Sequence, residues 1–144
     1  MKKYLLDTHI LLWMFDEVEN IPQNIYEIIE DIENQCFVSI ISLYEVAIKK
    51  NIGKLNTRNS ITTLTNEIER VGLSLLPLTP KHLESYVFLK QVENHKDPFD
   101  RLLISIAISD NLNIISADEK FRNYADLVEI VWETTPPTSY YSSF

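Results

Sequence analysis

Lys3-Tyr4-Leu5-Leu6-Asp7-Thr8-His9-Ile10-Leu11-Leu12-Trp13-Met14-Phe15 is the stretch on which the fold turns. Its first part, Lys3 to Asp7, is a short apolar run closed by an acid and reads as a buried strand. Its second part, Thr8 to Phe15, reads as a short helix with Thr8 as the cap. A strand that passes straight into a helix is half of a βαβ unit, and the alternation continues outward. Pro22 to Asn34 is helical, with Ile25, Ile28, Ile29 and Ile32 at core spacing. Cys36 to Ile40 is a second strand and Ser42 to Asn51 a helix. Ser60 to Val71 is another helix, with Ile61, Leu64 and Ile68 in register and Gly72 as its stop. Leu73 to Leu76 is a third strand. Thr79-Pro80 opens a helix to about Gln91, and Asp97-Pro98 opens one to Asn111. Asn113 to Ser116 is a fourth strand, Glu119 to Tyr124 a short helix, and Leu127 to Val131 a fifth strand. The expectation is an α/β fold with a mainly parallel central sheet of about five strands, flanked by helices on both faces.

The 144 residues are enough for one domain. Residues 1–132 are read as that domain and 133–144 as an extension. The extension carries two prolines and many Ser, Thr and Tyr residues. It reads as a frayed end, with docking through Tyr140, Tyr141 and Phe144 as the other reading. Hydrophobic residues make up 45% and charged residues 24%, a globular balance. The formal net charge of −8 argues against a protein that coats nucleic acid, but not against an enzyme that acts on a polyanion. Only Gly53 and Gly72 occur, so a Gly-rich phosphate loop is absent. The single Cys36 cannot form an intrachain disulfide, which favours a reducing compartment, and it reads as an inert core residue. The longest apolar run, Ile10 to Phe15, falls far short of the roughly 18 residues that span a membrane. The N-terminus has no signal-peptide cleavage pattern, so a cytoplasmic protein is expected.

In parallel sheets, ligands bind beyond the carboxyl ends of the strands. Four acids meet that rule. Asp7 ends the first strand, Glu45 enters the helix after the second, Asp100 enters the helix begun by Pro98, and Asp118 follows the fourth strand. Each also has an ordinary structural reading. Asp7 sits between apolar flanks where a buried carboxylate is costly, and Thr8 is available for capping. Ser42-Leu43-Tyr44-Glu45 matches a capping box, and Glu45 also stands one turn before Lys49. Taken alone, Glu45 therefore serves either role. Asp100 is favoured by the helix dipole, although Asp97 already serves as the cap. Asp118 suits the cap of the short helix after it.

Four converging carboxylates need protons or a divalent cation between them. An all-oxygen set favours Mg²⁺ or Mn²⁺, and such an ion suits phosphodiester hydrolysis. No His or Cys pair has zinc spacing. His9, His82 and His95 read as surface residues or as residues supporting the site.

The quoted segments resemble known ones. Leu5-Leu6-Asp7-Thr8-His9-Ile10-Leu11-Leu12-Trp13 resembles the opening of PIN-domain proteins, in particular VapC-type toxins of toxin–antitoxin pairs. Ser39 to Lys49, followed by Gly53-Lys54-Leu55, is similar to their second motif, His95 to Leu103 to their third, and Ile115 to Phe121 to their fourth. The resemblance covers Lys2 to about Val131. It implies a PIN fold and a metal-dependent endoribonuclease with Asp7, Glu45, Asp100 and Asp118 as the acidic quartet. It also implies hydroxyls near the metal at Thr8 and Ser116, an RNA substrate, a homodimer and a small cognate antitoxin. Tyr44 stands where this subgroup often has tryptophan, and nothing transfers to the tail.

On that reading Asp7, Asp100 and Asp118 hold Mg²⁺ or Mn²⁺, while Glu45 is a ligand or orients the attacking water. Candidate phosphate contacts are Arg101, Lys54, Lys120 and Arg122. Lys49 and Lys50 are as well placed to complement their helix terminus. Two rival readings remain. One is a non-catalytic PIN-like binding module. The other is a phosphatase with an aspartyl nucleophile, which lacks the second aspartate two residues after Asp7.

Overall fold

The computed structural model describes residues 1–57 and 59–132. The expected extension, 133–144, lies outside the described residues. Five strands, β1 (Lys3–Leu6), β2 (Gln35–Ser39), β3 (Ser74–Leu76), β4 (Asn113–Ile115) and β5 (Ile130–Val131), form one sheet in the order β3-β2-β1-β4-β5. Every pairing is parallel. The helices are α1 (Thr8–Asp16), α2 (Gln23–Glu30), α3 (Ile40–Asn51), α4 (Ile61–Arg70), α5 (Pro80–Val87) and α6 (Pro98–Asp110). Short 3-10 turns lie at Val18–Asn20 and Glu119–Tyr124. No described helix is long and apolar enough to cross a membrane.

Strand alternation sorts the core onto the two faces of the sheet. Tyr4, Leu6, Cys36, Val38 and Ile115 face one cluster, which Ile10, Leu11, Ile25, Val46, Leu64 and Ile68 complete from α1 to α4. Leu5, Phe37 and Ile114 face the other, with Leu103, Ile104, Ile106 and Ala107 of α6 and Phe121 and Tyr124 of the second 3-10 turn. The chain steps outward from β1 to β3 and then returns across β1 to lay down β4 and β5. The crossing direction reverses between β1 and β4, so the carboxyl ends of those two strands flank the ligand-binding crevice of such a sheet.

Several boundaries differ from the sequence reading, each because of a specific contact. Asp7, not Thr8, caps α1, its Oδ1 accepting from the Ile10 amide at 3.0 Å. Helix α2 stops at Glu30 rather than Asn34. Asp31 turns the chain by accepting from the Glu33 amide at 2.9 Å, and the Asn34 side chain donates back to the Ile28 carbonyl at 3.1 Å. Ile32 therefore leaves the helical face and is 93% exposed. Helix α3 begins two residues earlier than expected, because Ser39 rather than Ser42 accepts the capping bond, from the Ile41 amide at 3.0 Å. Helix α5 ends at Val87 rather than near Gln91, with Leu89 turning into the core. Strand β5 loses Leu127 and Val128, whose amides remain bound to the Tyr124 carbonyl at 2.8 and 3.0 Å. His82 is buried, not at the surface. It accepts from the Thr79 amide at 3.0 Å and meets Asp110 at 2.8 Å.

Ile25 and Ile32 separate the two versions of α2. Ile25→Ala is expected to cost about 2–5 kcal/mol, and Ile32→Ser to stay within about 0.5 kcal/mol. Urea unfolding of both variants checks this, and equal losses would restore the longer helix.

Candidate active site

The site is built where β1 and β4 end. Asp7 follows Leu6 directly, and Ser116-Ala117-Asp118 follows Ile115. The Ser116 hydroxyl donates to Asp7 Oδ2 and accepts from the Asp118 amide at 3.1 Å. Both Asp7 oxygens are thus held, one by Ser116 and one by the amide of Ile10. Asp7 is only 4% exposed. Burial pushes its carboxyl above the ordinary range, against the opposing pull of the Ser116 and backbone hydrogen bonds.

Asp100 enters from the other face, in the first turn of α6. Asp97 caps that helix, accepting from the amides of Phe99 at 2.8 Å and Asp100 at 3.1 Å. Pro98 fits the first helical position. Burial raises the Asp100 carboxyl to about 7, and the negative charges of Asp97, Glu45, Asp118 and Asp7 add to the rise. The four acids chosen from sequence therefore share one electrostatic neighbourhood. Glu45 reaches it from α3, its side chain 15% exposed and 3.5 Å from Lys49. Asp118 also caps the short 3-10 turn, accepting from the Lys120 amide at 2.9 Å.

Among the described residues, no three His, Cys, Asp or Glu side chains stand close enough to grip one ion as placed. The donor set itself is all carboxylate oxygen and suits a hard divalent ion. Asp7, Asp100, Asp118 and Glu45 are the residues able to supply it.

His95, read from the sequence as a surface residue or as one supporting the site, lies in this ring. It is 2% exposed, with Nε2 3.3 Å from Asp100 Oδ2. Its ring lies 5.9 Å from that of Phe121 and 5.4 Å from that of Tyr124. Burial lowers its pKa, and Nε2 shares a hydrogen bond with the Asp100 carboxyl, as donor or acceptor according to which of the two carries the proton. Nδ1 has no hydrogen-bond partner among the described residues. The sequence clue is position alone, since His95 lies in the loop that Asp97-Pro98 folds back toward Asp100.

The remaining candidates divide. Ser116 is at the centre. Thr8 is buried beside Asp7 in sequence, but its hydroxyl donates to Ser42 at 3.0 Å and so ties α1 to α3. Arg101 points into the interior, 4% exposed, which corrects its reading as a phosphate contact. Its Nη1 donates to the Lys90 carbonyl at 3.0 Å and the Tyr124 hydroxyl at 2.9 Å, and the guanidinium lies 5.5 Å from the Tyr86 ring centroid. Lys50 clamps the loop before α4 through Thr57 and Asn59. Lys54, Lys120 and Arg122 are exposed.

A doubly wound parallel sheet with acids gathered at its switch point defines an α/β domain whose candidate ligand site lies at that edge. A family model described as the PIN domain matches residues 4–127, and the chain belongs to that family. No curated protein matches the sequence. Solved structures share the fold at low identity. A chain of VapBC2 from Rickettsia felis, bound to a promoter DNA fragment, is 20% identical, with a TM-score of 0.67 over 91% of this chain and 99% of its own. VapBC-1 from nontypeable Haemophilus influenzae gives 20% identity and a TM-score of 0.65 over 90% and 96%. VapBC-5 from Mycobacterium tuberculosis, a member of the VapBC family of toxin–antitoxin systems, gives 17% and 0.57 over 92% and 100%.

Asp100 makes stability depend on pH. The folded chain holds this proton up to about pH 7, whereas the unfolded chain releases it near 3.8. The native state thus binds more protons in that window, and stability falls as pH rises through it. In EDTA, Asp100→Asn is expected to melt above the parent at pH 8, with the gain vanishing near pH 4. Thermal melts across pH check this, and a variant less stable at pH 8 would contradict it.

Proposed function

We propose that the protein is a Mg²⁺- or Mn²⁺-dependent endoribonuclease and the toxin of a toxin–antitoxin pair. The observation that carries this is the gathering of Asp7, Asp118, Asp100 and Glu45 at one edge of the sheet, where burial first, and then the charges of Asp97, Glu45, Asp118 and Asp7, raise Asp100 to about 7. Carboxylates placed at such mutual cost call for a cation. When bound, Mg²⁺ or Mn²⁺ supplies Lewis-acid polarisation of the scissile phosphate and a more acidic water. Asp7, Asp100 and Asp118 would hold the ion, and Glu45 would either join them or orient the attacking water. Ser116 keeps Asp7 turned inward, and His95 does the same for Asp100. Hydrolysis leaves a 3′-hydroxyl and a 5′-phosphate. Lys54, exposed beside the site, meets the RNA backbone.

The antitoxin reading draws support from neighbours whose own descriptions are VapBC complexes. A second copy of the chain is proposed on the face where Val87 and Phe88 are 70% and 79% exposed, with Leu83 one turn before. An RNA-cleaving toxin working beside its antitoxin belongs in the cytoplasm. The one-domain reading, with 133–144 as an extension, is kept as part of this proposal. The phosphatase reading gains nothing, since His9 stands two residues beyond Asp7.

Purified protein is expected to cleave mixed single-stranded RNA with Mn²⁺ or Mg²⁺ and to stop in EDTA. Asp7→Asn should lower the rate about 100-fold or more. Full cleavage by Asp7→Asn overturns the assignment. No cleavage under any metal favours the binding module, and phosphate release from a small ester favours the phosphatase.

A further inference from the structure

Two clefts meet along the outer face of α1. One, of about 240 Å³, is lined by Asp7, His9, Trp13, Ala117 and Asp118 and opens on the acidic centre. The other, of about 400 Å³, shares His9 and Trp13 and adds Lys49, Lys54, Asp16 and Glu17. Helix α1 buries Thr8, Ile10 and Leu11, which leaves His9, Trp13 and Asp16 on its outward stripe. The His9 and Trp13 rings are 6.2 Å apart and tilted by 51°, and Trp132 continues the row 6.0 Å beyond Trp13. Trp13 rests one side on the first core and is half-buried. The row begins two residues from a buried catalytic candidate, where an ordinary helix surface needs no large aromatic.

We infer that His9 and Trp13 form a stacking subsite for an unpaired nucleobase next to the scissile phosphate, with Lys54 on the adjoining phosphate. This deepens the ribonuclease reading and rests on it. Base stacking on aromatic side chains is how proteins seize single-stranded nucleic acid. A duplex base, stacked on both faces, cannot reach such a ring. The substrate class is therefore single-stranded or looped RNA. Of the two acids on this cleft, Asp16 is the one open to a base. Glu17 already accepts from the Asn20 side chain at 2.8 Å, whereas Asp16 takes no hydrogen bond from the described residues. Asp16 is placed to accept from an exocyclic amino group of cytosine, adenine or guanine. Uracil, which offers such an acceptor only its ring N3–H and no amino group, is the disfavoured base.

The test uses the full chain made silent by Asp7→Asn, or by Asp118→Asn if the first does not fold. Binding of a short labelled RNA is read by fluorescence anisotropy, and folding by thermal melts. Trp13→Ala should weaken single-strand binding about 10-fold or more, Trp13→Phe should restore most of it, and a duplex of the same sequence should bind weakly with or without Trp13. Asp16→Ala should level the preference against uracil. A folded Trp13→Ala that binds as its parent does, or a duplex that binds as well as the single strand, overturns the subsite. So does protection of Trp13 by a protein partner alone, with RNA binding unchanged by its loss. Trp13-dependent binding in a protein that never cleaves RNA keeps the subsite and removes the nuclease. In the cleaving wild type, Trp13→Ala with unchanged KM does the reverse.

Discussion

The hydroxyl of Ser116 joins the ends of the two strands on which the whole site is raised. It donates to Asp7 at the end of β1 and accepts from the amide of Asp118 just past β4. These strands are neighbours, paired through Leu5 with Ile114 and Leu6 with Ile115. The parallel register brings Asp7 level with the residues after Ile115, and the Asp7 amide donates to the Ile115 carbonyl at 3.0 Å. Any slip of β4 against β1 would part the serine from the aspartate and turn the core residues of β4 to the wrong face. Core packing and site assembly are therefore one constraint. The apolar runs of β1 and β4 choose the register, and the register sets the acids side by side.

The elements with strong apolar runs and clear punctuation were legible. Leu5, Leu6, Ile114 and Ile115 announce buried strands, Gly72 closes α4 with a positive φ of 90°, and Asp97-Pro98 opens α6. The acids were legible because strand ends and first helical turns point to one edge whatever the details between them. What stayed hidden depended on contacts distant in sequence. Ser39 and Ser42 are both plausible caps for α3. The choice falls to Ser39 because Ser42 is buried against Thr8. Ile32 keeps helical spacing with Ile25, Ile28 and Ile29. The chain must nevertheless turn early, since the Gln35 amide is taken up by the Lys2 carbonyl at 2.9 Å. Arg101 looks like a phosphate contact beside Asp100, yet consecutive residues on a helix face different ways. Its direction leads to Tyr124 and Lys90, neither of which its own segment announces.

Under the proposed function, local charge rather than net charge governs how this chain would meet RNA. The formal charge of −8 repels RNA at long range. Arg101 does nothing to offset this, because its guanidinium is enclosed, and Lys50 is held by the α3–α4 loop. Lys49 answers Glu45. Lys54 is exposed on the cleft that runs to the acidic centre. A chain so composed cannot rely on a broad basic face. Under the proposed function it depends on a bound cation and on base contacts, which are far less sensitive to salt than phosphate contacts are.

Under the proposed function, the buried acids also tie cation binding to proton release. With Asp100 raised to about 7, the metal-free centre at neutral pH already carries protons on part of its molecules. A divalent ion binds the deprotonated carboxylate, so it must displace that proton, and apparent affinity rises with pH until the group is fully ionised. His95 sharpens the coupling. With its pKa lowered by burial, it partners the carboxyl of Asp100 through Nε2 without the permanent positive charge that would repel the ion. A lysine in its place would pair with Asp100 outright and compete with the metal. The buried imidazole instead leaves the acid in need of a cation, and on the proposed reading this need is what makes four carboxylates at one edge of a sheet useful rather than merely costly.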